Sequence, residues 1–478
     1  MLNTTISYFS QDKLGVMGER VFELLEKNGV KMDHPEVAKL LSKAGANVDF
    51  DSQIVRFPKK FLEEQIIKAP KNFVLEGRSG KFKLEIPRED GTFHTRTNTG
   101  GQTWIEPETG KYRRVTISDV ATWAKLSYRL ENIGFSAFPV PNDVPTATAD
   151  IYALSAMLQN TEKHVWVQPY TEGSVKYLIE LSIAAAGGED ALKNNPLVSF
   201  ITCSLTPLEF KYMDLDIILQ SSRKGIPLHA CSLPGAGTTG PITESGVVLL
   251  SVAEILVMLA TAQVIQPGIP IVATPLIFSA DMSTGRSLQS SVDSMRSNAL
   301  AVQFIKNGFG IPVHTYGIGA DSPIMDGQCM SEGALRSMLI SSSGADILGG
   351  AGQIETATTI SPLQLAIDNE VFGMVRHIIT EMPFDDDSMA WDDLMEVMPG
   401  GEFLTKQHTL QHCRDGLPPI NFIRSDRETW EKKGQGDLVE RAKEFCRQLL
   451  KKPTTPIMND DVVKEMDSIV KSADEHLT

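Results

Sequence analysis

Residues 226–241 read Ile-Pro-Leu-His-Ala-Cys-Ser-Leu-Pro-Gly-Ala-Gly-Thr-Thr-Gly-Pro; a long apolar helical run, 244–263, and a second β-branched run, 269–276, follow. A short apolar strand, a break rich in Gly and Pro, a helix and a further strand make one β/α unit, whose two strands must run parallel. The same alternation recurs from Gly134 onward. Strands are expected at 134–140, 164–169, 197–204, 226–233, 269–276, 311–317, 345–350 and 401–405, and helices at 148–159, 174–186, 208–224, 244–263, 288–306, 332–343 and 363–380. About eight such units joined by right-handed crossovers close a barrel. A doubly wound open sheet is the competitor, and the count of about eight units favours the barrel. The expected fold class is therefore α/β, a TIM-like (β/α)8 barrel.

The first ninety residues read differently. Leu14, Val21, Leu24 and Leu25 recur at helical spacing before Asn28-Gly29, a helix stop, and a second short helix is expected from His34-Pro35 to Lys43. Short strand-like pieces follow at 54–57, 73–76 and 82–86. We divide the chain into an N-terminal α+β cap region, 1–97, and a barrel with C-terminal helices, 98–478.

Composition narrows the class of function. Hydrophobic residues make up 42% of the chain and charged ones 22%, enough apolar material for a large core. Lys+Arg of 45 against Asp+Glu of 60 gives a net charge of −15, so nucleic acid is not an expected partner. The N-terminus lacks the basic and apolar segments of a signal peptide, and the longest apolar run, 246–262, is broken by Ser251 and Glu254. A cytoplasmic protein with no membrane association is expected. Its five cysteines, Cys203, Cys231, Cys329, Cys413 and Cys446, form no C-x-x-C pair and are expected reduced.

Strand parity sorts the barrel interior, because alternate residues face the surrounding helices and must be apolar. Val165 and Val167 face outward, which turns Trp166 and Gln168 in. Leu228 and Ala230 turn His229 and Cys231 in; Ile311 and Val313 turn His314 and Tyr316 in; Ile271 and Ala273 leave Thr274 inside. This inward set is polar and aromatic where a barrel normally fills with Val, Ile and Leu, and its last members sit at the C-terminal end, where barrel enzymes keep their chemistry. For any one residue, a satisfied core polar group is an equal alternative. Acidic residues, Asp281, Asp321, Asp326 and Glu355, crowd the strand ends. With Trp166, Phe278 and Tyr316 they would stabilise a cation, although Asp326 also fits a helix cap. His229, Cys231 and His314 are candidate zinc ligands, but parity does not bring them to one point and no helix is expected to carry His-x-x-x-His.

Several stretches, in order, resemble the trimethylamine methyltransferase family: Asn98-Thr99-Gly100-Gly101 with Glu108-Thr109-Gly110; Asn142-Asp143-Val144-Pro145; Ala236-Gly237-Thr238-Thr239-Gly240-Pro241-Ile242-Thr243; Ala253-Glu254-Ile255-Leu256; Asp281-Met282-Ser283-Thr284-Gly285; Asp326-Gly327-Gln328 with Glu332; Gly344-Ala345-Asp346 through Gly350-Ala351-Gly352; Asp368-Asn369-Glu370; and Phe403-Leu404 with His408-Thr409-Leu410. The resemblance implies a barrel that docks a corrinoid protein at its mouth and transfers methyl to the cobalamin cobalt. Where archaeal members carry pyrrolysine this sequence has Gly317-Ile318-Gly319, with Gly319 as the equivalent position. Similar chains without pyrrolysine act on glycine betaine, proline betaine, carnitine or butyrobetaine.

On this reading the substrate is a small quaternary amine, glycine betaine first, held by Trp166, Gln168, His229, Phe278, His314, Tyr316, Asp321 and Glu355. The corrinoid protein would face Gly235, Gly237, Thr238, Thr239, Gly350, Gly352 and Gln353. A homo-oligomer is expected, with no tightly bound metal needed for activity, because the nucleophile is the partner's cobalt. The alternatives are a non-catalytic quaternary-amine binding protein, or a corrinoid methyltransferase for another betaine (proline betaine, carnitine, butyrobetaine) or a tertiary amine.

Overall fold

The computed structural model describes residues 6–78, 80–434, 436–453 and 457–478. Eight parallel strands close a barrel: β1 (His94–Thr97), β2 (Ser136–Ala137), β3 (Val165–Val167), β4 (Val198–Cys203), β5 (Leu228–Ser232), β6 (Ile271–Pro275), β7 (His314–Tyr316) and β8 (Ile347–Ala351). The run from β2 to β6 pairs continuously, β7 pairs with β8, and β8 pairs with β1. Parallel bridges Arg96/Phe135 and Ala273/Val313 complete the ring. A helix follows each strand: α1 (Ile117–Arg129), α2 (Ala149–Asn160), α3 (Ser174–Ala186), α4 (Tyr212–Arg223), α5 (Glu244–Ile265), α6 (Val292–Phe309), α7 (Gly327–Ser342) and α8 (Pro362–Ile379).

The count of eight holds, but the set differs by one member. Residues 401–405 form exposed turns instead of a strand, and the place falls to His94–Thr97, at the end of the region expected as the cap. His-Thr-Arg-Thr shows no apolar alternation because its outward residues are threonines satisfied by hydrogen bonds. Thr95 Oγ1 donates to Asn132 O, and Thr97 Oγ1 donates to Ala137 O at 3.0 Å. A hydroxyl with a backbone partner can stand where an apolar side chain was expected.

The N-terminal residues form the helices Gln11–Lys27, Pro35–Ala44 and Lys59–Lys68, and two small sheets. All three helices pack on α5. That explains α5, which is long and apolar enough to cross a membrane but is 83% buried over its most apolar stretch. A helix apolar all round needs cover on both sides, here strands within and the N-terminal helices without. The hairpin Phe73–Glu76/Lys83–Ile86 closes the barrel floor: Leu75, Leu84 and Ile86 join Phe135, Trp166, Ile201 and Ile347 in one apolar cluster inside the ring. Outside the ring of helices, Leu438–Lys451 packs on α1 and α8, and Asp460–Leu477 packs on α2 and α3.

Candidate functional site

The two faces of β3, β5, β6 and β7, with the residues leading into them, separate cleanly. Val165, Val167, Leu228, Ala230, Ile271, Ala273, Ile311 and Val313 join the outer core, whereas Trp166, Cys231, Val272 and Tyr316 line the interior. Rim strands Gly235–Ala236, Phe278–Ala280 and Ser287–Leu288 form a small sheet above the mouth.

Below the mouth lies a layer of buried charge and aromatic rings that includes a residue the sequence reading missed. Arg96, fully buried, stacks its guanidinium over Trp166, 4.0 Å from the ring centre. Its Nε donates to His314 Nε2 at 3.2 Å and its Nη1 donates to Thr97 O at 2.7 Å. His229 and His314 meet edge to face with ring centres 5.4 Å apart, and Trp166 lies edge-on to both. Gly349 is dictated by this layer, because a Cβ there would stand 2.6 Å from His314 Nε2 and 2.8 Å from Arg96 Nη2.

Proton positions follow from the partners. His164 Nδ1 lies 3.0 Å from Glu76 O, so this nitrogen carries the proton and Nε2 accepts from Ser199 Oγ at 2.9 Å. Ser199 Oγ then accepts from His229 Nε2 at 3.1 Å, which leaves His229 Nδ1 a bare acceptor. His314 Nε2 accepts from Arg96, so its Nδ1 carries a proton. Burial holds both His229 and His314 well below the usual histidine range, reinforced by the Arg96 charge, so both rings are neutral at pH 7. Burial also brings Arg96 down to about 10, still protonated, and raises Tyr316 to about 12. Arg96 Nη2, His314 Nδ1 and Trp166 Nε1 have no hydrogen-bond partner among the described residues. Three donors, one of them cationic, and the acceptor His229 Nδ1 are therefore left without a partner in this layer.

The other expected residues are dispersed. Gln168 is half-buried near the mouth, its Oε1 accepting from Thr99 Oγ1 at 3.3 Å, and Phe278 meets Tyr316 edge to face at 6.4 Å. The Asp321 carboxylate accepts from Gln289 N at 2.9 Å, Ser290 N at 2.7 Å and Thr356 Oγ1 at 2.9 Å. Glu355 accepts from Thr359 Oγ1 at 2.6 Å and opens a turn in which Glu355, Thr356 and Ala357 all have positive φ, 53°, 53° and 68°. Three consecutive non-glycine residues in that region store strain, a feature that collects at functional sites. Asp281 binds its own turn through Ser283 and Thr284, and Asp326 caps α7.

Of the glycine-rich loops, Thr238 and Thr239 are exposed and Gly237 is half-buried, while Gly235, Gly350, Gly352 and Gln353 are buried. Gln353 Nε2 donates to Gln289 Oε1 at 2.6 Å and to Ile318 O at 3.1 Å. Gly319 sits against it: φ is +107°, and a Cβ would lie 2.0 Å from Gln353 Nε2. Cys231 interacts with Cys203, and burial raises its thiol well above the usual range. Among the described residues, the group arranged to hold a metal lies elsewhere, at Asp387, His408 and His412. His408 and His412 do form His-x-x-x-His on the helix Gln407–His412, contrary to expectation.

A closed parallel barrel whose interior turns polar toward the C-terminal ends of its strands defines a barrel enzyme. The family model of the trimethylamine methyltransferases (MTTB) matches residues 2–477, and the chain belongs to that family. Trimethylamine methyltransferase MttB of Desulfitobacterium hafniense is 28% identical over 469 residues, 98% of this chain and 94% of the relative. Glycine betaine methyltransferase of the same species is 25% identical over 465 residues, 96% of each chain. Among solved structures, the monomethylamine methyltransferase MtmB of Methanosarcina barkeri covers the whole chain and 90% of its own length, with a TM-score of 0.54 at 12% identity, a likeness of fold. The chain is a methyltransferase.

Proposed function

We propose that the protein takes a methyl group from a small quaternary amine that carries a carboxylate, glycine betaine first, and gives it to the cob(I)alamin of a partner corrinoid protein. The observation that carries the substrate class is Arg96. This buried cation has no carboxylate partner among the described residues, and its Nη2, like the ring N–H donors of His314 and Trp166, has no hydrogen-bond partner among them. A buried charge is costly unless paired, and a substrate carboxylate would pair it through charge-assisted hydrogen bonds. The assignment of the expected cation site changes accordingly. Arg96 already covers a face of Trp166, so the ammonium goes to Phe278 and Tyr316 nearer the mouth, with Gln168 beside them.

Quaternary nitrogen suits the chemistry. The cobalt supplies the electron pair that forms the new C–Co bond, the C–N pair stays on nitrogen, and a neutral tertiary amine leaves with no proton required. The chain's residues need only orient the substrate and exclude water. A tertiary amine would leave as an amide anion unless activated first, and Gly319 brings no side chain that could do so. On this reading the exposed Thr238 and Thr239 on the rim would meet the corrinoid protein.

The test is the rate of methylcobalamin formation, followed by visible absorbance, with glycine betaine, proline betaine, carnitine, trimethylamine and dimethylglycine. Within this panel, turnover of glycine betaine, proline betaine and carnitine is expected, and none of the two tertiary amines. Equal turnover of trimethylamine overturns the proposal, and saturable binding of betaine with no spectral change favours a binding protein.

A further inference from the structure

Between α8 and the helix Leu438–Lys451 the chain makes a long excursion held by short helices, and it contains a cluster the methyl-transfer reading does not use. One ring nitrogen each from His408 and His412 and a carboxylate oxygen of Asp387 lie within 4.8 Å of one another. His412 Nε2 stands 3.3 Å from Asp387 Oδ2. Two ligands at about 2.0–2.2 Å from a tetrahedral zinc are separated by about 3.3 Å, so this edge is already at coordination distance. The second nitrogen of His412, Nδ1, lies 2.6 Å from Asp415 Oδ2. A carboxylate behind a histidine in this way fixes the ring and raises the basicity of the ligating nitrogen. The His408 and His412 rings lie side by side, centres 4.2 Å apart, as the i, i+4 spacing on one helix face requires.

We propose that Asp387, His408 and His412 form a binding site for a divalent cation of the zinc class, which pins the turn at Asp387 to the helix Gln407–His412. Two imidazoles and one carboxylate select zinc or a neighbouring transition metal over magnesium or calcium, which prefer all-oxygen shells. The three side chains leave one tetrahedral position open, and the exposure of Asp387 and partial exposure of His412 give that position to water. The function of the cation is to hold the excursion, which exposes Phe384, Trp391, Leu404 and Leu410 and whose short helices contribute no buried residue of their own. Its presence is compatible with methyl transfer that uses no metal in the barrel.

The test uses the untagged full-length chain, stripped with a chelator and titrated with zinc chloride or cobalt(II) chloride. One zinc per chain is expected, with intense visible cobalt bands of a tetrahedral nitrogen and oxygen site and no thiolate-to-cobalt charge transfer. His408→Ala and His412→Ala should each abolish binding, Asp415→Asn should weaken it about 10- to 100-fold, and Cys413→Ser should leave it unchanged. Zinc should also slow proteolytic cleavage of the excursion in the unsubstituted chain but not in His412→Ala. Absence of stoichiometric binding at micromolar zinc, unchanged binding by the two histidine variants, or a thiolate band from Cys203 and Cys231 each overturns the proposal.

Discussion

Arg96 and Trp166 form a stacked cation–aromatic pair inside the barrel, the guanidinium carbon 4.0 Å from the ring centre. Two hydrogen bonds hold the guanidinium on its other edges, and no carboxylate neutralises it among the described residues. A charge-assisted hydrogen bond to a substrate carboxylate contributes about 1.5–3 kcal/mol, or about 10- to 100-fold in binding. Arg96→Gln is therefore expected to raise KM for glycine betaine by that factor and to leave weak turnover of choline, a quaternary amine without a carboxylate, unchanged. The same substitution removes an unpaired buried cation, so Tm should hold or rise. Steady-state kinetics and a thermal melt check both, and a fall in Tm with equal loss for both substrates would make Arg96 structural.

Gly319 has no room for a side chain. Its φ of +107° is strained for any other residue, and the added Cβ would run into Gln353 Nε2 at 2.0 Å. Gly319→Ala must displace Gln353 from Gln289 and Ile318 O, leaving buried polar atoms unpaired, at a cost of about 1–3 kcal/mol. A lower urea midpoint at unchanged m-value is the expected outcome. Rescue of stability in Gly319→Ala/Gln353→Ala would identify the clash as the cause.

Periodicity made the fold legible wherever a strand buried an apolar outer face. Val165 and Val167 around Trp166, or Leu228 and Ala230 around His229, reveal strand and facing together. It failed at His94–Thr97, where threonine hydroxyls bonded to backbone replace apolar contacts, and Arg96 was lost with the strand that carries it. The acidic residues are ambiguous in sequence for a related reason. A carboxylate that accepts backbone amides, as Asp321 does, looks in sequence like one that awaits a cation. His408 and His412 stand at helical spacing where no helix was expected, so the pair was missed, and Asp387 joins them only through the fold.

Asp368 gives a pH dependence with a definite sign. It is buried, accepts from Gly352 N at 2.7 Å and Gln364 Nε2 at 2.7 Å, and burial raises its carboxyl from 3.8 to about 7. Between those values the folded state binds more protons than the unfolded one, so this group's contribution is complete below about pH 4 and is lost as pH rises through 7. Asp368→Asn should flatten that part of the profile, with the gain over the unsubstituted chain larger at pH 8 than at pH 5. Urea titrations at the two pH values measure it, and the other groups cancel in the double difference. A gain equal at both pH values would show that Asp368 does not titrate in this range.

Glu254 shows how the mouth is held from outside the barrel. It is fully buried on α5, yet its Oε2 accepts from Ser204 Oγ at 2.5 Å, Thr206 Oγ1 at 2.9 Å and Ser232 Oγ at 2.6 Å, and its Oε1 accepts from Leu208 N at 2.8 Å. These partners lie at the ends of β4 and β5 and on the loop after β4, so one carboxylate fixes two neighbouring edges of the site beside Cys203 and Cys231. Four donors explain why a charge can sit here without a cation, since hydrogen bonds replace its hydration. Glu254→Ala leaves all four donors unpaired and a cavity behind them, which should cost about 3–5 kcal/mol. Glu254→Gln retains the shape but replaces one acceptor oxygen with a donor that faces another donor. It should cost less and still loosen the loop. The separating measurement is hydrogen exchange at Leu208 N: both variants should lose protection there, the alanine variant more. Full protection in both would mean that the carboxylate does not hold the rim.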